Sequence, residues 1–158
     1  MKLKFFILSF AFCFVYISNA QNNSFPKKNV GYVHDLEHVF TTIELAELEA
    51  TIDKFQKETF NEIAVFTVES IGNYTDFDKY ALDLSNYWGI GLHEDGLTIV
   101  FSKSHRKIRI STGNGITYII TDEFCEEVID KIIIPKFKNE EYYNGINDAL
   151  IKIMDEWR

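Results

Sequence analysis

The carboxylates that stand beside glycines are the residues best suited to do chemistry in this chain. Glu94 and Asp95 immediately precede Gly96, and Asp122 and Glu123 follow the run Gly113-Asn114-Gly115. Glycine lets backbone carbonyls approach a bound group closely. Carboxylate and carbonyl oxygens are the ligands that hard cations such as Ca2+ and Mg2+ take. Crowded carboxylates without a metal would instead raise a pKa towards the range of acid–base work. The plain alternative is that these acids are solvated beside turns, with Asp122 matching the charge of a helix start.

Two further motifs invite chemistry and lack its context. "HDLEH", residues 34 to 38, fits the H-x-x-E-H pattern of an inverted zinc peptidase, which needs both histidines on one helical face. Here it precedes the expected cap of the first helix, so two solvent-exposed loop histidines are expected. Gly113-Asn114-Gly115 stands where a dinucleotide fingerprint would begin, but Tyr118 takes the third glycine's place. The β-branched residues around it do not open a helix, so a glycine-rich turn is expected.

The elements that must position these residues follow from apolar spacing. "NVGYVHD" (29–35) reads as a brief strand. Thr41 and Glu44 form a capping box, Phe40 and Leu45 a hydrophobic staple, and Leu48, Ile52 and Phe55 continue one apolar helical face. Asn61 is placed to end that helix. "EIAVFTVE" (62–69) is a central strand. Thr75 and Asp78 cap a second helix with an inward stripe from Phe77 to Trp88, broken by glycine at 89 and 91.

Residues 97–102 and 107–112 are strands joined by a link short enough for an antiparallel hairpin. A hairpin returns its second strand to the edge where its first began. Residues 94–96 and the 113–123 stretch are therefore expected to face each other. From Asp122 the pattern is helical with Pro135 closing it, and Tyr143 to Trp157 define a last amphipathic helix. The alternation implies an α/β fold, a three-layer α/β/α sandwich with a mixed central sheet and helices on both faces.

Bulk properties narrow the setting. Lys2 and Lys4 precede an apolar run that ends at Ser18-Asn19-Ala20, the form of a secretory signal too short to span a bilayer. Export to the periplasm or medium, with cleavage near Ala20, is expected. A disordered lead follows over 21–28, and a single domain over 29–158. Losing the two signal lysines moves the formal charge from -8 to -10. Such a surface repels nucleic acid and anionic lipid and favours cations. Cys125 alone remains after the signal, so no internal disulfide is available and the core must carry stability. The mature chain has no apolar run long enough to cross a membrane.

Taken in order, "VHDLEHVFT", "EIAVFTVESI", "YALDLSNYWGIG", "EDGLTIVFSKSHRKIRISTGNGITYIITDE" and "IIIPKFKNEEYYNGI" resemble the TPM domain over residues 30 to about 155. The resemblance implies an α/β/α sandwich of exported or lumenal proteins, in bacterial envelopes and in thylakoids. It also implies Ca2+ or Mg2+ binding with phosphatase or nucleotide (ATP/ADP) phosphohydrolase activity. Nucleotides or small phosphate esters are then the expected substrates, and an envelope protein a possible partner.

By the same resemblance Asp35, Glu94, Asp95 and Asp122 are metal-ligand candidates, and Gly96, Gly113 and Gly115 line the site. Asp122 and Asp95 are the candidate catalytic carboxylates. This chain departs from the family's pattern in Glu94-Asp95 for an Asp-Asn step, in His34 and His38, and in Phe60 where a glycine is expected. Many relatives carry a transmembrane segment and a glycine-rich tail; this chain carries neither, and a free soluble protein is expected.

Overall fold

The computed structural model describes residues 25–90 and 95–158. The signal reading and Glu94 lie outside the described residues. Four strands, β1 (Val33–Asp35), β2 (Glu62–Thr67), β3 (Gly96–Ser102) and β4 (Lys107–Thr112), form one sheet in the order β1-β2-β3-β4. β1, β2 and β3 run parallel and β4 returns antiparallel to β3. Helices α1 (Thr42–Thr59), α3 (Asp122–Val128), α4 (Ile134–Phe137) and α5 (Tyr142–Trp157) contribute to the core on one face. Helix α2 (Phe77–Trp88) covers the other. The mixed sheet with helices on both faces is thus as the sequence implied.

Alternation sorts the strands between two cores. Ile63 and Val65 of β2, with Leu97, Ile99 and Phe101 of β3, pack under α1 and α5. Ala64, Phe66 and Val100 point the opposite way, against Phe77, Tyr80, Ala81 and Leu84 of α2. Side chains of period two on strands and period three to four on helices leave no other assignment. Phe25, just ahead of the domain, packs its ring within 5.2 to 6.0 Å of Tyr74, Tyr80 and Tyr87.

Local chemistry sets most helix ends. The Thr41–Glu44 capping box forms as expected. Helix α2 is capped by Asp76, not Thr75; the Asp76 carboxylate accepts from the amides of Asp78 and Lys79. α1 ends one residue before Asn61: Phe60 takes the left-handed conformation at φ 63° and is 82% exposed.

Pro135 does not close the helix that starts at Asp122. The chain widens into a π-turn at Ile129–Ile133, where the Ile134 amide donates to the Ile129 carbonyl, and continues as α4. Proline lacks a donor and crowds the carbonyl four residues back. A wider turn ahead of it, with proline in the first turn of the next helix, removes both objections. α4 then packs so close to α5 that a Cβ on Gly145 would lie 2.9 Å from the Phe137 ring. No helix among the described residues is long and apolar enough to cross a membrane.

Candidate functional site

Hairpin geometry brings the two glycine-flanked bends together. Leu97 pairs with Thr112, and the Gly113 amide donates to the Gly96 carbonyl at 2.8 Å. Asp95, half-buried, accepts from the Glu62 amide through its own carbonyl at 3.3 Å. Asp95-Gly96 and Gly113-Asn114 therefore face each other across one sheet edge, as the hairpin argument required. Gly115 follows in an exposed turn.

On the α2 side this edge opens into a cleft of about 200 Å³ between α2 and the hairpin. Its walls include Ser85 and Asn86 of α2, Thr98 of β3, Ser111 of β4 and the bend at Gly113-Asn114. Ser85 and Thr98 are buried with hydroxyl oxygens 2.6 Å apart, and Ser85 donates to the Ala81 carbonyl. The Arg109 Nε donates to Ser111 Oγ at 2.9 Å. Strand alternation turns Arg109 towards the α2 layer, where its guanidinium lies 3.9 Å from the Asp78 carboxylate. A volume of this size is below the ~300–1,000 Å³ usual for small-molecule pockets. It suits an ion with its water or a single phosphoryl group.

The remaining site candidates are placed as follows. Asp122 opens α3 on the layer opposite α2, exposed, with Thr121 capping the helix beneath it. Its neighbour Glu123 has its pKa lowered by hydrogen bonds from the helix-start amide and from Thr121. Among the described residues no three Asp, Glu, His or Cys side chains gather as a metal cluster. The donors at the Asp95 edge are all oxygens, a set that fits a hard, partly hydrated cation in type.

Asp35 stands elsewhere. It pairs with Thr67 at the carboxyl end of β2, while Gly96 pairs with Glu62 at the amino end. Five residues of strand separate the two levels, about 16 Å. No single ion spans that distance. The Asp35 carboxylate accepts from the Val39 and Phe40 amides, each at 2.9 Å, and from the Thr67 hydroxyl at 2.6 Å. It anchors the turn that leads into α1.

"HDLEH" is likewise spent on structure. His34 is not loop-exposed: it lies in β1, 4% exposed, with its ring 4.0 Å from that of Trp88 and 4.8 Å from that of Phe66. Its Nδ1 and the Trp88 Nε1 are buried without a hydrogen-bond partner among the described residues. Burial lowers the His34 pKa, against a smaller opposing pull from Glu49. His38 is exposed at φ 53°. The Glu37 carboxylate accepts from the Lys103 and Ser104 amides and the Ser104 hydroxyl, while its own amide donates to Thr67 Oγ1. The glutamate and both histidines therefore share no metal-binding face.

Sequence reasoning missed the hydroxyl pair. Its signal was Thr98, a polar residue in an apolar strand, at a level facing Ser85 in the inward stripe of α2.

The layers and the parallel-then-return sheet define an α/β sandwich domain with a cleft at one hairpin edge. A sequence model of the TPM domain matches residues 33–156, and the chain belongs to that family.

Solved structures agree in fold. The N-terminal domain of a protein from P. gingivalis superposes with a TM-score of 0.72 at 23% identity, covering 79% of this chain and 80% of that one. The BA42 protein of the psychrophilic bacterium Bizionia argentinensis gives 0.66 at 20% identity, over 77% and 83%. The N-terminal domain of the cg2496 protein of Corynebacterium glutamicum gives 0.63 at 14%, over 84% and 83%. No curated protein matches.

Proposed function

We propose that this TPM domain binds Ca2+ or Mg2+ after export, through oxygen ligands at the edge where Asp95-Gly96 meets Gly113-Asn114. Glu94 is the further carboxylate in this reading, and Asp122, on the opposite layer, is left out of it. The observation that carries it is the β3–β4 register, which sets an acidic bend against a glycine-asparagine bend beside a hydroxyl-lined cleft. The acidic surface, formal charge -8 for the whole chain, supports a cationic guest.

The test is a Ca2+ and Mg2+ titration followed residue by residue by NMR. Saturable shifts are expected at residues 95–98 and 111–115, with Kd near the ~10⁻⁴–10⁻³ M of weak extracellular sites. Asp95→Asn should weaken binding at least tenfold. Shifts confined to other parts of the chain, or no saturation, would overturn the reading.

A hydrolytic version is favoured by one observation, Arg109 beside Ser111 at the cleft. A bound cation supplies charge neutralisation of phosphate oxygens. Arg109 and the Ser111 hydroxyl then hold a phosphoryl oxygen, the nucleotide or ester body staying outside the 200 Å³ cleft. Asp95 accepts the proton of the attacking water; Asp122, on the opposite layer, stands outside the cleft. Turnover of ATP, ADP and nitrophenyl phosphate, with and without Mg2+ or Ca2+, tests this. Equal turnover by Asp95→Asn and the parent would remove it and leave a non-catalytic cation-binding module that contacts an envelope protein.

A further inference from the structure

We propose that the groove between the β3–β4 hairpin tip and the α4–α5 junction binds a small organic anion, a carboxylate or phosphate carried on a flat or apolar body. The groove has a volume of about 510 Å³, within the ~300–1,000 Å³ range of small-molecule sites. It lies at the opposite end of β3 from the cation edge, six residues or about 20 Å away, and does not rest on that reading.

Charge and ring chemistry both point to such a guest. Lys103, Arg106 and Lys138 line the groove on a chain whose formal charge is -8. Among the described residues none of the three makes an ion pair. Surface lysines taken singly are ordinary solvated groups; here three cations, Lys103, Arg106 and Lys138, border one concavity against Glu140 alone among its lining acids, while strand alternation turns the Lys107 side chain towards the α2 layer.

The Glu37 carboxylate at the hairpin tip is taken up by the backbone of Lys103 and Ser104 and forms no ion pair with the Lys103 ammonium. That ammonium sits 5.3 Å from the centre of the Tyr142 ring. Phe137 and Tyr142 meet edge to face at 4.9 Å and give the groove an aromatic wall. An anionic head among the cations with its body on the two rings uses both halves of the surface.

Two backbone features support the assignment. Arg106 and Glu140 hold left-handed conformations, φ 53° and 62°, on opposite sides of the groove. Non-glycine residues enter that region at a cost, and such positions concentrate where ligands are held. The groove also follows the carboxyl end of β3, with the tip of the β3–β4 hairpin forming one of its walls.

The probe is 8-anilinonaphthalene-1-sulfonate, an aryl anion, read by fluorescence against its uncharged relative N-phenyl-1-naphthylamine. The anionic probe should bind the folded protein at least tenfold tighter than the neutral one. Its amide shifts should fall on residues 103–108 and 134–142. Lys103→Ala/Arg106→Ala, both exposed, should weaken it at least tenfold with unchanged melting, while Asp95→Asn should leave it unchanged.

Benzoate and phenylphosphonate are competitors, and displacement by either supports the site, the stronger one naming the preferred head. Four results would each overturn it: equal binding of the charged and neutral probes, shifts elsewhere, no effect of the double variant, or displacement by inorganic phosphate as effective as by the organic anions.

Discussion

Asp35→Ala separates a structural carboxylate from a cation ligand, because the two roles predict opposite outcomes. The substitution leaves the Thr67 hydroxyl without its acceptor, along with the Val39 and Phe40 amides. Hydrogen bonds to a charged acceptor are worth about 1.5–3 kcal/mol each. Thr67 is fully buried and takes the larger loss, about 2 kcal/mol. The two amides belong to half-buried residues that water reaches in part, which brings them to about 0.5–1 kcal/mol each. The sum is about 3–4 kcal/mol.

At this size that loss corresponds to a fall in melting temperature of roughly 10 °C. Asp35→Asn keeps an acceptor oxygen and should lose about half as much. Urea unfolding measures stability, and the Ca2+ titration measures affinity on the same variants. Affinity should stay within about twofold, since some 16 Å of strand separates Asp35 from the Asp95 edge. A stability loss under about 1 kcal/mol, or a tenfold loss of Ca2+ affinity with the fold intact, would refute the assignment.

Three further predictions rest on single residues. The folded-state pKa of His34 is lowered from 6.5, so the unfolded chain takes up a proton that the folded one refuses. Stability should fall as pH drops below 6.5, at no more than about 1.4 kcal/mol per pH unit. His34→Phe should flatten that slope between pH 7 and 5, and an unchanged slope would show the ring to be irrelevant. Phe60→Gly relieves a left-handed cap worth about 1–2 kcal/mol and gives back about 0.5–1 in backbone entropy. With the Phe60 ring exposed, a net gain of about 0.5–1 kcal/mol is expected in chemical denaturation. The Cys125 thiol is pushed up to about 11, by burial first and by Asp122 second. Its reaction with a disulfide reagent at pH 8 should track global unfolding; a fast reaction in native buffer would contradict its burial.

The parts of this molecule legible in the sequence are those written locally. The Thr41–Glu44 box, the apolar stripes of α1 and α2 and the short hairpin link each act within a few residues, and each forms. The facing bends at Gly96 and Gly113 were legible too, because an antiparallel return fixes the partner edge. Asp35 was not: its role depends on Thr67, a neighbour only once β1 and β2 lie side by side. Nor was the π-turn, since Pro135 in an apolar run reads equally as a stop or as the first turn of a new helix. His34 reads as exposed until Trp88 and Phe66 are placed on its ring. The basic groove escaped because its cations come from a hairpin tip and from a distant helix junction, each unremarkable alone.

Glu37 clamps the hairpin tip through its carboxylate while its amide holds the same Thr67 hydroxyl that engages Asp35. One continuous seam thus runs sideways across the carboxyl rim, from β1 through β2 to the ribbon beyond β3. An exposed ribbon end would ordinarily fray on its own. Here its amides at Lys103 and Ser104 should exchange with solvent more slowly than their exposure implies, and loosening one stitch should speed exchange along the whole rim.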